Sequence, residues 1–390
     1  MTSPTPRTLE PRAILDRLVG FPTVSRDTNL PLIDWVQDYL ASHGIDSHRV
    51  MSPCGQKAHL YAHLGPDAPG GVILSGHTDV VPVDGQDWST DPWVVTERDG
   101  KLYGRGTCDM KGFDALALHA FVAASKRPLK RPLQLAFSYD EEVGCMAVVD
   151  LVEAMIAADM PRAESVLVGE PSMMKVVTGH KGGVGFRVHV RGYEVHSSLQ
   201  PYGVSAIHEA ARLIQWANDR NDELAAATPS ALAAPFDPPF STLHVGTIQG
   251  GTANNITAKD CHFWLGVRAV PGESGWAERM LAAAAEIDAR MKAVRPEAGI
   301  EMTKVMEVPP LTPEVNGPAE ALARRLTGDN GQHVVSYGTE GGQFQVRGYS
   351  AVICGPGNIE QAHQPDEFLS IAQFEAGEAF LARLVDDLCA

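Results

Sequence analysis

The sequence has no long apolar segment, since none of its runs approaches the roughly 18 residues needed to cross a bilayer. Its opening residues, MTSPTPRTLEPRA, also lack the apolar core of a signal peptide. Basic residues are scarce, with 32 Lys and Arg against 48 Asp and Glu, and they form no cluster. We therefore expect a cytoplasmic protein of net charge −16 that binds neither membranes nor nucleic acids.

Cysteine is sparse, and the usual cofactor motifs are incomplete. The six cysteines form no CxxC pair, lying at positions 54, 108, 145, 261, 354 and 389. This spacing indicates neither a zinc ribbon nor a disulfide framework. GRG at 104–106 lacks the third glycine of a dinucleotide loop, GHKGGVG at 179–185 lacks the ending of a phosphate loop, and no GxSxG serine motif occurs.

The 390 residues exceed the usual size of one hydrophobic core and predict two domains. Short β patterns alternate with helical patterns in the first half, which favours an α/β domain with a mixed, largely parallel sheet flanked by helices. The strand candidates of this domain are 72–75, 133–138, 165–168 and 351–354. A helix is predicted over 110–126, with Asp109 at its N-cap.

The middle of the chain has a different pattern. Strands are predicted at 184–190, 242–248, 261–267 and 300–305, with helices at 205–219 and 275–292. This β-α-β-β-α-β order is that of a ferredoxin-like α+β unit. We therefore expect this unit, residues 181–305, to be inserted into the larger domain, which comprises 1–180 and 306–390.

Potential metal ligands follow each of the four strand candidates of the larger domain. His77 and Asp79 follow the first strand, the acidic run 140–142 the second, Glu170 the third, and a Gly/Pro loop leading to His363 the fourth. Ligands of open α/β sheets bind beyond the carboxyl ends of the strands. A single residue of this kind usually forms hydrogen bonds within its own loop. Potential ligands after all four strands together favour a metal site.

Imidazole nitrogens and carboxylate oxygens suit borderline metals such as zinc. The predicted partition places His77 and Glu170 on one ion, with Glu142 and His363 on the other. Asp109 bridges the two ions, because each carboxylate oxygen can face a different one.

Two more acidic residues have predicted roles beside the ligands. Glu141 adjoins a ligand without having to be one, so it is the candidate general base. Asp79 is the candidate that orients the His77 imidazole. The remaining histidines show no partner pattern, and we interpret them as surface or packing residues, among them His59, His63, His119 and His189.

With these residues, the sequence resembles the dinuclear zinc aminoacylase and carboxypeptidase family, and within it a deacetylase branch. The matching stretches are SGHTDVVPVDGQDW, LYGRGTCDMKG, DEEVG, VGEPS, GHKGG, VHSS, the segment 254–268, GTEGGQFQ and GPGNIEQAHQPDEF. They run from about residue 20 to the C-terminus. The resemblance implies the same five metal ligands, with Glu141 as base and Asp79 as support.

The resemblance further implies a catalytic domain with an inserted lid and dimerisation domain, working as a homodimer with two divalent ions per subunit, zinc or alternatively cobalt. His196 matches a histidine that reaches the partner's active site, Asn255 and Arg268 match residues that hold the substrate carboxylate, and Gly341 and Gly342 lie in a matching substrate loop.

The expected reaction is hydrolysis of a small N-acyl amino acid. N2-acetyl-L-ornithine is the first candidate substrate, and succinyl-diaminopimelate or broader N-acyl amino acids are alternatives. A non-catalytic metal- or ligand-binding relative is the alternative of a different class.

Overall fold

The computed structural model describes residues 8–390 and divides into two compact units. The larger unit comprises residues up to Gly179, Pro313–His333 and Thr339–Ala390, and the smaller comprises His180–Thr312 and Val334–Gly338. The sequence placed the inserted segment at 181–305. The smaller unit is longer because its last strand continues to Val308 and because the short segment 334–338 joins it.

Strands are numbered in chain order. They are β1 (Ser47–Met51), β2 (Ala58–Leu64), β3 (Gly71–His77), β4 (Thr96–Arg98), β5 (Lys101–Tyr103), β6 (Leu133–Ser138), β7 (Ala163–Pro171), β8 (Val177–His180), β9 (Gly182–Arg191), β10 (Thr242–Gly250), β11 (Asp260–Ala269), β12 (Gly299–Val308), β13 (His333–Val335), β14 (Ser350–Gly355) and β15 (Phe368–Ser370).

The α-helices are numbered in the same way. They are α1 (Pro11–Val19), α2 (Leu30–Ser42), α3 (Lys111–Ala124), α4 (Val148–Ala157), α5 (Ala206–Ala226), α6 (Trp276–Val294), α7 (Pro318–Thr327), α8 (Gly341–Gln345) and α9 (Ile371–Cys389). Two 3₁₀ turns cover Ser197–Tyr202 and Ile359–Gln361.

The larger unit is built on an eight-stranded mixed sheet of order β1-β2-β6-β3-β7-β14-β8-β13. Its central strands are parallel, with β3 between β6 and β7, and β14 beside β7. Every residue of β3 and β6 is buried, which explains their continuous apolar runs, because helices cover the sheet. This confirms the predicted α/β class with a mixed sheet flanked by helices.

Helix α3 packs between α1 and α9 and contacts the central strands. Its sequence, KGFDALALHAFVAA, is buried at almost every position, so it is a core helix rather than an amphipathic surface helix. The predicted N-cap at Asp109 is wrong. Met110 occupies that position and no side chain caps the helix, because the Asp109 carboxylate faces two histidines instead.

The smaller unit has the element order β9-α5-β10-β11-α6-β12, the order that the periodicity predicts. Its four antiparallel strands lie in the order β10-β11-β9-β12. Helices α5 and α6 share a hydrophobic core with one face of this sheet, including Val188, Val190, Phe263 and Leu265. His189, interpreted from the sequence as a surface or packing residue, is 30% exposed on β9 and pairs with Asp260 of the neighbouring strand β11, a contact that the sequence did not indicate.

Among residues 8–390, no helix combines the length and the apolar character needed to cross a membrane.

Candidate metal centre

The carboxyl ends of the parallel strands position the candidate site in the larger unit. His77 is the last residue of β3, and Glu170 is the next-to-last residue of β7, the neighbouring strand. The acidic run 140–142 directly follows β6, on the other side of β3. Parallel strands end at the same edge of a sheet, so side chains far apart in sequence meet there.

Five side chains form two adjoining clusters at this edge. In the first, His77 Nε2 lies 3.0 Å from Asp109 Oδ1 and 3.6 Å from Glu170 Oε1. In the second, His363 Nε2 lies 3.2 Å from Asp109 Oδ2 and 3.0 Å from Glu142 Oε2. Within each cluster the possible ligand atoms are all within 4.8 Å of one another. Asp109 belongs to both clusters and presents one oxygen to each.

The electrostatics of this donor set fit divalent cations. Burial and then the Asp109 charge raise the pKa of Glu142 to about 7, and burial raises the pKa of Glu170 well above its ordinary value. Burial also acts to raise the pKa of Asp109, but hydrogen bonds from His363 and His77 outweigh it and lower that pKa. One oxygen of Glu142 is buried without a hydrogen-bond partner. Closely packed carboxylates of this kind are stabilised by bound cations, so these residues could hold two divalent ions.

Access to the centre is uneven. The side chains of His77, Asp109, Glu142 and Glu170 are at most 6% exposed, whereas that of His363 is 48% exposed. His363 also has a positive φ of 64°, a conformation that favours glycine or asparagine and that functional sites often contain. Among the five candidate ligands, His363 on the loop after β14 is therefore the one that faces solvent.

Asp79 supports the centre differently from the sequence prediction. His77 Nδ1 lies 2.9 Å from the backbone oxygen of Asp79 and 3.6 Å from its carboxylate, so the backbone makes the closer contact with the imidazole. The carboxylate accepts the backbone N–H groups of Glu141 and Glu142, at 3.1 and 3.3 Å, and the Ser25 hydroxyl at 2.7 Å. Asp79 thus fixes the main chain of the loop after β6.

Glu141 lies beside the two clusters and belongs to neither. Burial and the neighbouring Glu142 charge raise its pKa to about 8, although the His77 charge opposes them. The Cys145 thiol donates a hydrogen bond to Glu141 Oε1, with a sulfur–oxygen distance of 2.8 Å. A carboxyl group with such a pKa can both take up and release a proton near neutral pH.

The sequence analysis did not identify the buried ion pair between Arg105 and Glu367, which contacts the backbone of Asp109. Arg105 Nη1 donates to Glu367 Oε2 at 2.6 Å, and both side chains are 1% exposed. The other carboxylate oxygen accepts the backbone N–H groups of Cys108, at 2.9 Å, and Asp109, at 3.0 Å. Arg105 stands four residues before Asp109 and Glu367 four residues after His363, and both lie within the matching stretches LYGRGTCDMKG and GPGNIEQAHQPDEF, which is the signal that could have identified the pair.

The predicted substrate loop adjoins the sheet in the same unit. Gly341 and Gly342 are buried and begin α8. The preceding residue, Glu340, accepts hydrogen bonds from the hydroxyl groups of Ser75, at 3.3 Å, and Ser138. Those serines lie on β3 and β6, so hydrogen bonds connect the start of α8 to the strand that ends at His77 and to the strand that leads to Glu142.

The other predicted substrate residues, His196, Asn255 and Arg268, belong to the smaller unit and are exposed. His196 and Asn255 lie in adjoining loops, because Ser197 N–H donates to the Asn255 carbonyl at 2.8 Å. Asn255 precedes β11, whereas Arg268 is next to its last residue. At about 3.3 Å per residue, the eight steps from the first residue of β11 to Arg268 span roughly 26 Å. The structure therefore does not bring Asn255 and Arg268 of one chain together.

Comparison with known proteins agrees with this centre. A model of peptidase family M20/M25/M40 matches residues 73–387. An acetylornithine deacetylase from Myxococcus xanthus is 36% identical, covering 97% of this chain and 97% of that protein. An acetylornithine deacetylase from Pasteurella multocida is 30% identical, covering 95% of this chain and 96% of that protein.

Solved structures show the same fold at low sequence identity. An M20 family metallo-carboxypeptidase from Sulfolobus solfataricus has a TM-score of 0.78 and 17% identity, covering 98% of this chain and 99% of that chain. A dinuclear metal-binding M20 peptidase from Bacillus subtilis has a TM-score of 0.62 and 15% identity, with 96% of each chain covered. The resemblance inferred from the motifs is confirmed: the chain belongs to peptidase family M20/M25/M40 and is a metal-dependent amidohydrolase.

Proposed function

We propose that the protein hydrolyses the amide bond of a small N-acyl amino acid, with N2-acetyl-L-ornithine as the substrate and L-ornithine and acetate as the products. The observation that carries this proposal is Asp109 shared between two His–carboxylate clusters, with Glu141 beside both. The acetylornithine deacetylases at 36% and 30% identity support the choice of substrate. This activity would place the protein in arginine biosynthesis.

Two divalent ions, when bound, polarise the scissile carbonyl and lower the pKa of the attacking water. His77 and Glu170 would hold one ion, Glu142 and His363 the other, and Asp109 both. Because the donors are nitrogen and oxygen without thiolate, we propose zinc, with cobalt as the alternative. Glu141, which lies beside both clusters and belongs to neither, takes the proton from the attacking water and passes it to the leaving amine.

We further propose that substrate recognition uses the smaller unit of a homodimer. Arg268 would bind the substrate carboxylate through its two-pronged guanidinium group. Since His196 and Asn255 adjoin each other and Asn255 lies far from Arg268 along β11, we assign His196 and Asn255 to the site of the partner subunit. His196 Nδ1 accepts the Ser198 N–H at 3.3 Å, which places the proton of a neutral ring on Nε2. That N–H can stabilise the negative oxygen of the tetrahedral intermediate.

A panel of N-acyl amino acids tests the reaction and the substrate together. The zinc-loaded protein should release acetate from N2-acetyl-L-ornithine faster than it releases succinate from succinyl-diaminopimelate. Chelation should abolish the activity, and added zinc or cobalt should restore it. Faster desuccinylation would reassign the substrate. Absence of turnover on every member, in a sample shown to hold two ions, would favour a non-catalytic relative.

Mixing of inactive variants tests the assembly. His196→Ala and Glu141→Gln should each be nearly inactive, and a mixed dimer should recover toward half of the normal activity if His196 acts across the interface. Loss of one oxyanion donor costs about 10²–10³ in rate, which gives the assay its contrast. The control mixes Glu141→Gln with Glu142→Gln, whose defects lie in the same unit of each chain and should not complement. Confirmed subunit exchange without recovery in the first mixture would disprove the trans arrangement.

A further inference from the structure

The smaller unit has a sheet face that its own helices do not cover. Val188 and Val190 on β9, and Cys261 and Phe263 on β11, point into the core shared with α5 and α6. Because successive side chains of a strand alternate between faces, the residues between them lie on the opposite face. On that face the two central strands carry His189, Asp260 and His262, together with arginines and Trp264.

His189, Asp260 and His262 converge on this face. The strand register places His189 directly opposite His262, and Asp260 is two positions along β11 on the same side. The two imidazole rings are stacked, with centroids 4.1 Å apart and an interplanar angle of 14°. His189 Nε2 lies 2.8 Å from Asp260 Oδ1, and one ligand atom from each of the three residues lies within 4.8 Å of the others.

We propose that these three residues form a further metal site, separate from the dinuclear centre, for a borderline divalent ion such as Zn²⁺, Cu²⁺ or Ni²⁺. Two imidazoles and one carboxylate are the donors that such ions prefer. Zinc binds nitrogen and oxygen at about 2.0–2.2 Å, which requires ligand atoms about 3.4 Å apart. Because an imidazole nitrogen binds a metal in the plane of its ring, the two rings must also rotate out of their stack to share one ion. The His189 and Asp260 side chains are 30% and 46% exposed and His262 is exposed, so they can rotate while the paired strands keep the Cα atoms fixed.

A surface ion pair is the alternative explanation, but it accounts for only part of the arrangement. It explains the contact between His189 and Asp260, and such pairs contribute little to stability. It leaves His262 without a role, although a nitrogen of this imidazole lies within 4.8 Å of the ligand atoms of the other two residues. A bound metal requires both rings to be neutral and uses all three groups.

The surroundings offer further oxygen donors. The register places Glu301 of β12 opposite His189, and Gln249 of β10 opposite His262. The four side chains thus form one row across the whole sheet, with Asp260 beside it. Two arginines of β9 flank His189 on this face: Arg187, opposite Trp264, and Arg191, opposite Asp260. Arg191 donates from Nε to the backbone oxygen of Glu297 at 3.0 Å. Water can complete the coordination because His262 is exposed.

Equilibrium dialysis of the full-length protein against Zn²⁺ tests the site directly. His262→Ala and Asp260→Asn should each bind one ion fewer per chain than the unaltered protein. The matched control is His244→Ala, which removes an exposed histidine from the same sheet face, on β10 opposite Gly266, outside the three-residue group. This control should leave the number of bound ions unchanged. The comparison is a difference between variants, so it does not depend on how many ions the larger unit holds.

Cu²⁺ provides a second measurement that reports the ligands themselves. The electron paramagnetic resonance spectrum should show one copper with two nitrogen ligands that disappears in His262→Ala and persists in His244→Ala. An equal ion count in the unaltered protein and in both site variants would overturn the proposal. Loss of an ion in His244→Ala as well would also overturn it, because the binding would then belong to surface histidines in general. His262→Gln, which keeps a polar side chain of similar length, replaces His262→Ala if the latter does not fold.

Discussion

The Glu367→Gln variant tests whether the Arg105–Glu367 ion pair positions a metal ligand or only stabilises the folded protein. The carboxylate has three donors: Arg105 on one oxygen, and the backbone N–H groups of Cys108 and Asp109 on the other. Glutamine has nearly the same size but only one acceptor oxygen. Its NH₂ group must face either the guanidinium or the two backbone donors, so one set of hydrogen bonds is lost in either orientation.

The magnitude follows from the burial of the pair. Removal of one partner from a buried ion pair typically costs about 3–5 kcal/mol, because the other charge stays buried. Arg105 retains the Gln364 carbonyl at 3.3 Å and the Gln86 side chain as acceptors, which places the expected loss at the lower end, about 3 kcal/mol. Because the guanidinium charge attracts the amide oxygen, the NH₂ group faces the backbone donors, and Asp109 loses the anchor of its backbone N–H. Loss of a partner that orients a ligand typically weakens metal binding about 10–100-fold.

Two assays measure these effects separately. Urea denaturation of the metal-free protein gives the free energy of unfolding, and competition with a chromophoric chelator gives the metal Kd. The control is Asp386→Asn, which breaks the surface pair with Arg127 (Nη2–Oδ1 3.0 Å), whose side chains are 67% and 46% exposed. It should cost about 1 kcal/mol or less and leave the metal Kd unchanged. Loss of stability in Glu367→Gln at an unchanged metal Kd would refute the positioning of Asp109 by this pair.

Four further variants test other parts of the molecule. Glu141→Gln should bind metal normally but lower kcat about 10²–10⁴-fold, whereas Glu142→Gln should weaken metal binding; the reverse pattern would exchange their roles. Arg268→Ala should raise KM for N-acyl amino acids much more than for their amides, and equal effects would indicate a surface residue. Burial lowers the pKa of His59 to about 3, so the unfolded chain takes up a proton below about pH 6.5 that the folded chain does not. Between pH 6.5 and 5 the metal-free protein should therefore lose about 2 kcal/mol of stability through this residue, and His59→Phe, measured by urea denaturation, should lose correspondingly less.

The sequence predicts the strands that carry the ligands because their apolar runs are continuous. Strands β3, β6, β7 and β14 are buried on both faces, and each ends beside a turn or a polar loop. Strand β2, by contrast, does not stand out, because His59 and His63 interrupt its apolar run. His59 lies there because its ring stacks on Tyr139 at 4.0 Å, a tertiary contact without a local signal.

Short elements and unit boundaries depend on contacts that periodicity does not contain. Strands β8 and β13 have four and three residues, too few for a pattern. The segment 334–338 joins the smaller unit although it lies within the part of the sequence assigned to the larger one. Asp109 is a single residue whose role also depends on contacts that the local sequence does not reveal. An aspartate just before a helix is usually an N-cap, but here two imidazoles compete successfully for its carboxylate.

Two buried carboxylates outside the ligand clusters share one structural role, which explains why sequence analysis assigns them incompletely. Asp79 accepts the N–H groups of the consecutive residues Glu141 and Glu142, and Glu367 accepts those of Cys108 and Asp109. Each carboxylate therefore fixes the main chain of a loop that carries a proposed metal ligand. That ligand is Glu142 for Asp79 and Asp109 for Glu367. The role depends on which backbone a side chain meets in the fold, so residue type and spacing do not reveal it. The two differ in charge, because Arg105 neutralises Glu367, whereas Asp79 accepts only neutral donors. Asp79 therefore also adds negative charge beside the ligand carboxylates, which favours bound cations.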